Sequence, residues 1–95
     1  MALVTAVVLV RTEGERVQDA AQRMLEVEGV TEVYSVTGPY DLVVMVRIPD
    51  FERLAEIVPE KLAQVPGVSR TETMVAFRVY SNYDLDRIWS QGFEG

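Results

Sequence analysis

The stretch V-Y-S-V-T-G-P-Y-D-L-V-V-M-V-R, residues 33–47, predicts two β-strands joined by a tight polar turn. Apolar and β-branched residues lie on both sides of residues 37–41, which are mostly turn-forming types. In this turn Gly38 is free to adopt positive φ, and Pro39 fixes its own φ. Asp41 can accept hydrogen bonds from neighbouring backbone amides. A β-hairpin is therefore expected at the centre of the chain.

The turn has two interpretations that the residues alone leave open. In the first, it does nothing more than connect two strands. In the second, its exposed backbone amides, the carboxylate of Asp41 and the adjacent ring of Tyr40 hold the two ends of a small zwitterion. Both interpretations require the same local backbone.

The length and composition indicate one globular domain. Ninety-five residues suffice for one core, and 48% hydrophobic with 25% charged residues is ordinary for a folded soluble protein. The longest apolar run is too short to cross a bilayer, and it lacks the features of a secretory signal. Cysteine is absent, so no disulfide framework is expected. We therefore expect a cytoplasmic protein that does not bind a membrane.

The absence of histidine and cysteine restricts the chemistry. Zinc and copper sites favour those side chains, and no D-x-D-x-D-G calcium loop is present, so no cofactor or metal is expected. Catalysis would depend on Asp, Glu, Tyr, Ser, Thr or the single lysine, Lys61. The net charge of −6 is opposite to that of a DNA-binding surface, so direct nucleic-acid binding is not expected.

Upstream of the hairpin, the pattern predicts a strand and a helix. Leu3–Val10 is almost wholly apolar and is expected to be a strand buried on both faces. From Glu15 to Glu28 the apolar residues recur at helical spacing. Gly29 then lies where a glycine is expected after a helix.

The two strands of the hairpin are expected over Val30–Val36 and Leu42–Ile48. A second helix and a fourth strand are expected after them. Asp50 is a good N-cap, and Pro59 predicts either a kink or a restart of the helix with proline in its first turn. The fourth strand is expected over Thr71–Val79. The predicted buried stripe of the second helix consists of Phe51, Leu54, Ala55, Val58 and Leu62.

The resulting order, β-α-β-β-α-β, predicts an α+β fold of the ferredoxin-like type, with one antiparallel four-stranded sheet and two helices on one face. Residues 1–80 would form this domain. Residues 81–95 would form a tail with a short helix, because Leu85, Ile88 and Trp89 have helical spacing. The helix-free side of the sheet is also apolar, so a second chain is expected to cover it.

Two segments of the chain together resemble a known regulatory module. G-V-T-E-V-Y-S-V-T-G-P-Y-D-L-V-V-M-V (residues 29–46) and P-G-V-S-R-T-E-T-M-V (residues 66–75) look like the effector domain of the Lrp/AsnC, or feast/famine, transcriptional regulators. This effector domain is also called the RAM domain. Family members usually carry an N-terminal helix-turn-helix domain, whereas this sequence begins at the first strand. The resemblance therefore implies a stand-alone RAM domain.

The resemblance also implies a set of binding residues. Gly38, Pro39, Tyr40 and Asp41 match the binding turn of the family, with Asp41 facing the ammonium group of an amino acid. Pro39 has no N–H, so the amides of Tyr40 and Asp41 would hold the ligand carboxylate. Matching the family's threonine pair, Thr71 and Thr73 would add hydroxyl contacts from a neighbouring subunit. From the residues alone, each threonine is equally well explained as an ordinary strand residue.

The implied function is non-enzymatic binding of an amino-acid effector between the dimers of a homo-oligomer, commonly an octamer or a similar ring. One alternative is a dimeric α+β barrel enzyme of the monooxygenase or isomerase type. The polar G-P-Y-D turn and the lack of histidine count against it. Another alternative is an assembly partner of a DNA-binding relative.

Overall fold

The computed structural model describes residues 3–14, 17–80 and 82. Its strands are β1 (Val4–Thr12), β2 (Val30–Ser35), β3 (Leu42–Ile48) and β4 (Val68–Val75), and its α-helices are α1 (Val17–Leu25) and α2 (Phe51–Ile57). One π-helical turn, Val58–Leu62, directly follows α2. The predicted β-α-β-β-α-β order is confirmed. The predicted helix of the tail lies outside the described residues.

The four strands form one antiparallel sheet in the order β2-β3-β1-β4. Strand β1 is central, with β3 on one side and β4 on the other. Both helices pack on the same side, where their apolar residues meet alternate residues of the central strands. The core consists of Ala6, Val8, Val10, Ala20, Met24, Leu42, Val44, Val46, Ile48, Leu54, Ile57, Leu62 and Val65. The predicted ferredoxin-like α+β fold is confirmed.

Strand β1 was predicted to be buried on both faces, but in the single chain only one of its faces is buried. Ala6, Val8 and Val10 are fully buried under the helices, whereas the residues between them are only half-buried and Leu3 is 54% exposed. The sequence pattern of a doubly covered strand is therefore present, but one chain supplies only one of the two layers.

Strand β4 begins and ends earlier than predicted. It occupies Val68–Val75 instead of Thr71–Val79, and Phe77 and Val79 are 99% and 76% exposed. In the described part of the chain, β4 pairs only with β1, which starts at Val4, and the last pairing bond is donated by the Ala76 amide to the Thr5 carbonyl. Val4 and Thr5 of β1 lie beyond the last pair, Ala6 with Val75, yet β4 does not continue along them. The strand propensity of the residues after Val75 is therefore not enough by itself to extend β4.

The second helix confirms the predicted cap and restart but not the whole stripe. The Arg53 amide donates to Asp50 Oδ1 at 2.9 Å, and Pro59 lies in the first turn of the π-helical segment. Leu54 and Leu62 are buried, as predicted. Phe51 is 60% exposed and Ala55 is also exposed, while Ile57 is buried. These three residues lie within α2, ahead of the π turn, so the buried side of α2 runs through Leu54 and Ile57 and leaves Phe51 and Ala55 at its edge.

The backbone at Gly29 lies so close to the core that only glycine fits at this position. Helix α1 ends at Leu25, before the predicted end at Glu28, and the chain turns through residues 26–29 before β2. Gly29 has φ +90°, and a Cβ at this position would lie 2.5 Å from Cγ2 of the buried Ile48.

Gly29→Ala is therefore expected to lower the free energy of unfolding by about 2 kcal/mol or more, since it adds both backbone strain and a core clash. Chemical denaturation measures this. Gly67→Ala is the control, because Gly67 also has positive φ (+94°) but the nearest atom to its Cβ would be 4.0 Å away. If both variants lost the same free energy of unfolding, the clash with Ile48 would contribute nothing, and backbone strain alone would account for the loss.

Candidate functional site

The β2–β3 turn, residues 36–41, is a closed loop at one end of the sheet. Ser35 pairs with Leu42, the Val36 amide donates to the Asp41 carbonyl at 3.0 Å, and Gly38 has φ +110°. The hairpin and the special conformation of its glycine are thus confirmed. The turn is mostly exposed, with Tyr40 and Asp41 half-buried where they approach the sheet.

Asp41 joins this turn to the end of β1. Its Oδ2 accepts hydrogen bonds from the Thr12 amide at 2.7 Å and from the Thr12 hydroxyl at 3.2 Å. The amide that Asp41 accepts from is therefore 29 residues away in sequence and not a neighbour within the turn, as the sequence led us to expect. Within the described residues Oδ1 of Asp41 has no hydrogen-bond partner.

The two residues before Asp41 are contacted by side chains of β1 and β4. The Pro39 carbonyl accepts two hydrogen bonds from Arg11 of β1, from Nε at 3.0 Å and from Nη2 at 2.7 Å. The Tyr40 hydroxyl donates to Oε1 of Glu72 on β4, and the Arg11 guanidinium carbon lies 6.0 Å from the centre of the Tyr40 ring. This is within the range of a cation–π contact.

The hydrogen bond to Glu72 is the main reason that the pKa of Tyr40 is raised above the usual tyrosine value, with partial desolvation adding to it. The positive charges of Arg70 and Arg11 act in the opposite direction. A phenol that donates to a carboxylate is favoured in its neutral form. At neutral pH Tyr40 therefore presents a neutral ring and a committed hydroxyl.

The amides predicted to hold a carboxylate differ in availability. The Asp41 amide already donates to the Val10 carbonyl at 2.9 Å. The Tyr40 amide makes no hydrogen bond to any described residue. Of the two amides, that of Tyr40 is the one that a ligand can reach without displacing a bond of the sheet.

Thr71 and Thr73 lie on the other side of the sheet from the Tyr40 hydroxyl. They pair with the buried residues Val10 and Val8, which places their side chains on the helix-covered face. Glu72 has the opposite orientation. Thr71 is half-buried. Thr73 is exposed and lines an apolar groove of about 400 Å³ between α2 and β4, together with Phe51, Leu54, Ala55, Val58, Pro59 and Val75. One chain alone does not bring this groove and the turn together.

The sequence did not single out the contacts made by Arg11, Thr12 and Glu72. A partial signal was present, because Arg11 and Thr12 are the polar residues that end an otherwise apolar strand. Their connection to residues 39–41 depends on strand register, which a list of residues does not reveal.

The helix-free face of the sheet is apolar and incompletely covered. Val7 lies between Met45 on β3 and Met74 on β4, and Met74 is 47% exposed. Tyr34, paired with Val43, is 49% exposed. We therefore keep the prediction that a second chain covers this face, which is called the open face below.

Two negative findings apply to the described ranges. Among residues 3–14, 17–80 and 82, no three His, Cys, Asp or Glu side chains come together as a metal site would require. No helix in this part of the chain has the length and apolar character to traverse a bilayer.

Comparison with known proteins identifies the family to which this fold and turn belong. The profile of the Lrp/AsnC ligand binding domain matches residues 5–85. The chain therefore belongs to the Lrp/AsnC ligand-binding domain family.

Individual relatives agree with this assignment. An uncharacterised HTH-type transcriptional regulator of Pyrococcus furiosus is 38% identical over 76 residues, which are 77% of this chain and 51% of the regulator. The chain thus spans about half the length of that relative. The crystal structure of TTHA0845 from Thermus thermophilus is 49% identical, has a TM-score of 0.78, and is matched over 83% of this chain and 99% of its own.

A feast or famine regulatory protein of M. tuberculosis, solved in complex with L-methionine, is more distant. It is 25% identical with a TM-score of 0.65, and the match covers 83% of this chain and 54% of that one. That protein binds an amino acid.

Proposed function

We propose that this protein is a non-enzymatic regulatory module that binds a free amino acid at the β2–β3 turn. The observation that carries the proposal is the combination, in one closed turn, of a carboxylate oxygen and a backbone amide that no described residue engages. Asp41 supplies the first and Tyr40 the second. A zwitterion carries the two complementary groups. The amino acid bound by the M. tuberculosis relative supports this ligand class.

In the proposed complex the ammonium group contacts Oδ1 of Asp41, and the carboxylate contacts the Tyr40 amide. The Tyr40 ring forms one wall, and Gly38 allows the backbone to approach the ligand because it has no side chain. One charge contact and a few hydrogen bonds of about 1 to 2 kcal/mol each, in a half-exposed site, correspond to micromolar-to-millimolar affinity. This range suits a sensor of metabolite concentration.

The turn is open to solvent on one chain, so we propose that neighbouring subunits complete the site. Two open faces would pack together in a dimer, and dimers would assemble into an octamer or a similar ring. Thr71 and Thr73 face away from their own turn, and they would therefore contact the ligand from another subunit. A ligand held between dimers favours the larger assembly by mass action.

A second proposed role is that of an assembly partner for a DNA-binding relative. It is supported by the match to one half of HTH-type regulators. Mixing this protein with such a regulator and analysing the complexes by native mass spectrometry tests the role. Hybrid rings are expected if it holds, and separate homo-oligomers would contradict it.

Calorimetric titration with each of the twenty amino acids tests the main proposal. Heat of binding is expected from at least one of them, with a dissociation constant in the micromolar-to-millimolar range. Sedimentation velocity with and without that amino acid tests the site between dimers. The absence of heat from all twenty would refute the proposed function.

A further inference from the structure

The β2–β3 turn is tied to the sheet by two side chains whose contacts reach it from different strands. Arg11 lies near the end of β1 and Glu72 lies within β4. Leu9 pairs with Val43 of β3 on one side and with Glu72 on the other. The contact between the Tyr40 hydroxyl and Glu72 therefore spans β1, which lies between β3 and β4.

The contacts made by Arg11 and Glu72 depend on the type of residue at each position. Arg11 directs two N–H groups, from Nε and Nη2, at the single carbonyl of Pro39. Lysine would keep the charge but lose this fork. Glu72 accepts from a phenol as a carboxylate, and hydrogen bonds to charged acceptors are stronger than neutral ones.

These contacts join residues of one chain and require no atom of a ligand. The turn is an exposed loop containing a glycine, and a loop that becomes ordered only on binding weakens affinity by the entropy that it loses. A turn held by Arg11 and Glu72 loses that entropy when the protein folds. The Tyr40 amide and the Asp41 carboxylate are then already in place.

We infer that Arg11 and Glu72 are positioning residues, which hold the β2–β3 turn in the conformation that binds the amino acid. Neither residue needs to touch the ligand. The inference rests on the proposed function for the identity of the ligand, whereas the holding of the turn can be measured without any ligand.

The chain offers matched controls for both residues. Glu32 accepts a hydrogen bond from the Tyr34 hydroxyl at 3.0 Å, which is the same tyrosine–carboxylate chemistry on β2, away from the turn. Arg70 pairs directly with Arg11 across β1 and β4 and is also exposed, but among the described residues it makes no hydrogen bond to the turn. Glu72→Gln is therefore compared with Glu32→Gln, and Arg11→Lys with Arg70→Lys.

Titration of tyrosine absorbance first verifies the contact in solution. Glu72→Gln is expected to lower the pKa of Tyr40 toward the usual tyrosine value, because a neutral amide no longer disfavours the phenolate. The charges of Arg70 and Arg11 remain in both proteins and act the same way. Glu32→Gln is expected to lower the pKa of Tyr34 instead, for the same reason.

Amide hydrogen exchange then measures how rigidly the turn is held, and calorimetry measures the effect on binding. In Glu72→Gln and Arg11→Lys, the Val36 and Asp41 amides are expected to exchange several times faster than in the wild type. Binding of the amino acid that gives heat is expected to be roughly three- to tenfold weaker, as for the loss of one hydrogen bond. Both control variants are expected to match the wild type in both measurements.

Equal exchange rates and equal affinities in the test and control variants would overturn the inference. A wild type that gives no heat with any amino acid would refute the proposed function, and the exchange rates alone would then support or overturn the holding of the turn. All four substitutions are at positions that are exposed in the single chain. Thermal unfolding and sedimentation velocity check that each variant is folded and assembles as the wild type does before the comparison.

Discussion

Val7→Asp is expected to prevent the proposed dimer and to leave a folded monomer. Val7 is half-buried at the middle of the open face, between Met45 and Met74. In a dimer that pairs these faces, the new carboxylate would be buried against apolar side chains without a partner, at a cost of several kcal/mol. Two-fold symmetry introduces this cost twice. A loss of dimer affinity of at least about a hundredfold is therefore expected.

Sedimentation velocity over a range of protein concentrations measures this change, with near-UV circular dichroism as the check on folding. Val7→Thr is the matched control, since threonine keeps the shape and strand preference of valine without a charge. It is expected to remain largely dimeric. A Val7→Asp protein that sediments like the wild type would mean that the open face is not the interface, and another partner would then have to cover it.

The order of elements was predictable because it depends on local pattern. The apolar periods of 2 and 3.6 residues, the turn at residues 37–41 and the Asp50 cap are all contained in short stretches of sequence. The limits of β4 were not predictable in the same way. They depend on the pairing of β4 with β1, which runs from Val68 opposite Thr12 to Val75 opposite Ala6, and β1 lies far away along the chain.

The candidate site shows the same division. The turn and its glycine conformation follow from residues 37–41, but the partners of the turn do not. Asp41 bonds to Thr12, and Tyr40 bonds to Glu72, across 29 and 32 residues of sequence. Such contacts depend on the register of three strands, and a shift of one residue would turn Glu72 to the helix-covered face. The family resemblance pointed to the residues of the turn. Their partners, Arg11, Thr12 and Glu72, became visible only in the structure.

Asp41 is the residue on which the proposed binding depends most, and its substitution must separate two roles. It accepts from Thr12, which fixes the turn, and its second oxygen is proposed to meet the ligand ammonium. Asp41→Ala removes both roles at once, because the Thr12 amide also loses its acceptor. Asp41→Asn keeps an oxygen that can accept from the Thr12 amide and removes the charge.

Asp41→Asn is therefore expected to change the free energy of unfolding by no more than about 1 kcal/mol, as for a substitution that keeps its hydrogen bond. Affinity for the amino acid is expected to fall at least about tenfold, or roughly 2 kcal/mol, because the bound ammonium is left partly desolvated and unpaired. Calorimetry measures the affinity. Sedimentation velocity measures whether the ligand still favours the larger assembly.

Asp50→Asn is the control for this experiment. Asp50 also accepts a backbone amide, that of Arg53 at 2.9 Å, so the control makes the same change of net charge and the same change of acceptor at the start of α2. It is expected to bind the amino acid and shift toward the ring as the wild type does, while Asp41→Asn does neither at the same ligand concentration. Equal affinity in the Asp41→Asn and Asp50→Asn proteins would limit Asp41 to holding Thr12, and the ammonium site would then have to lie elsewhere.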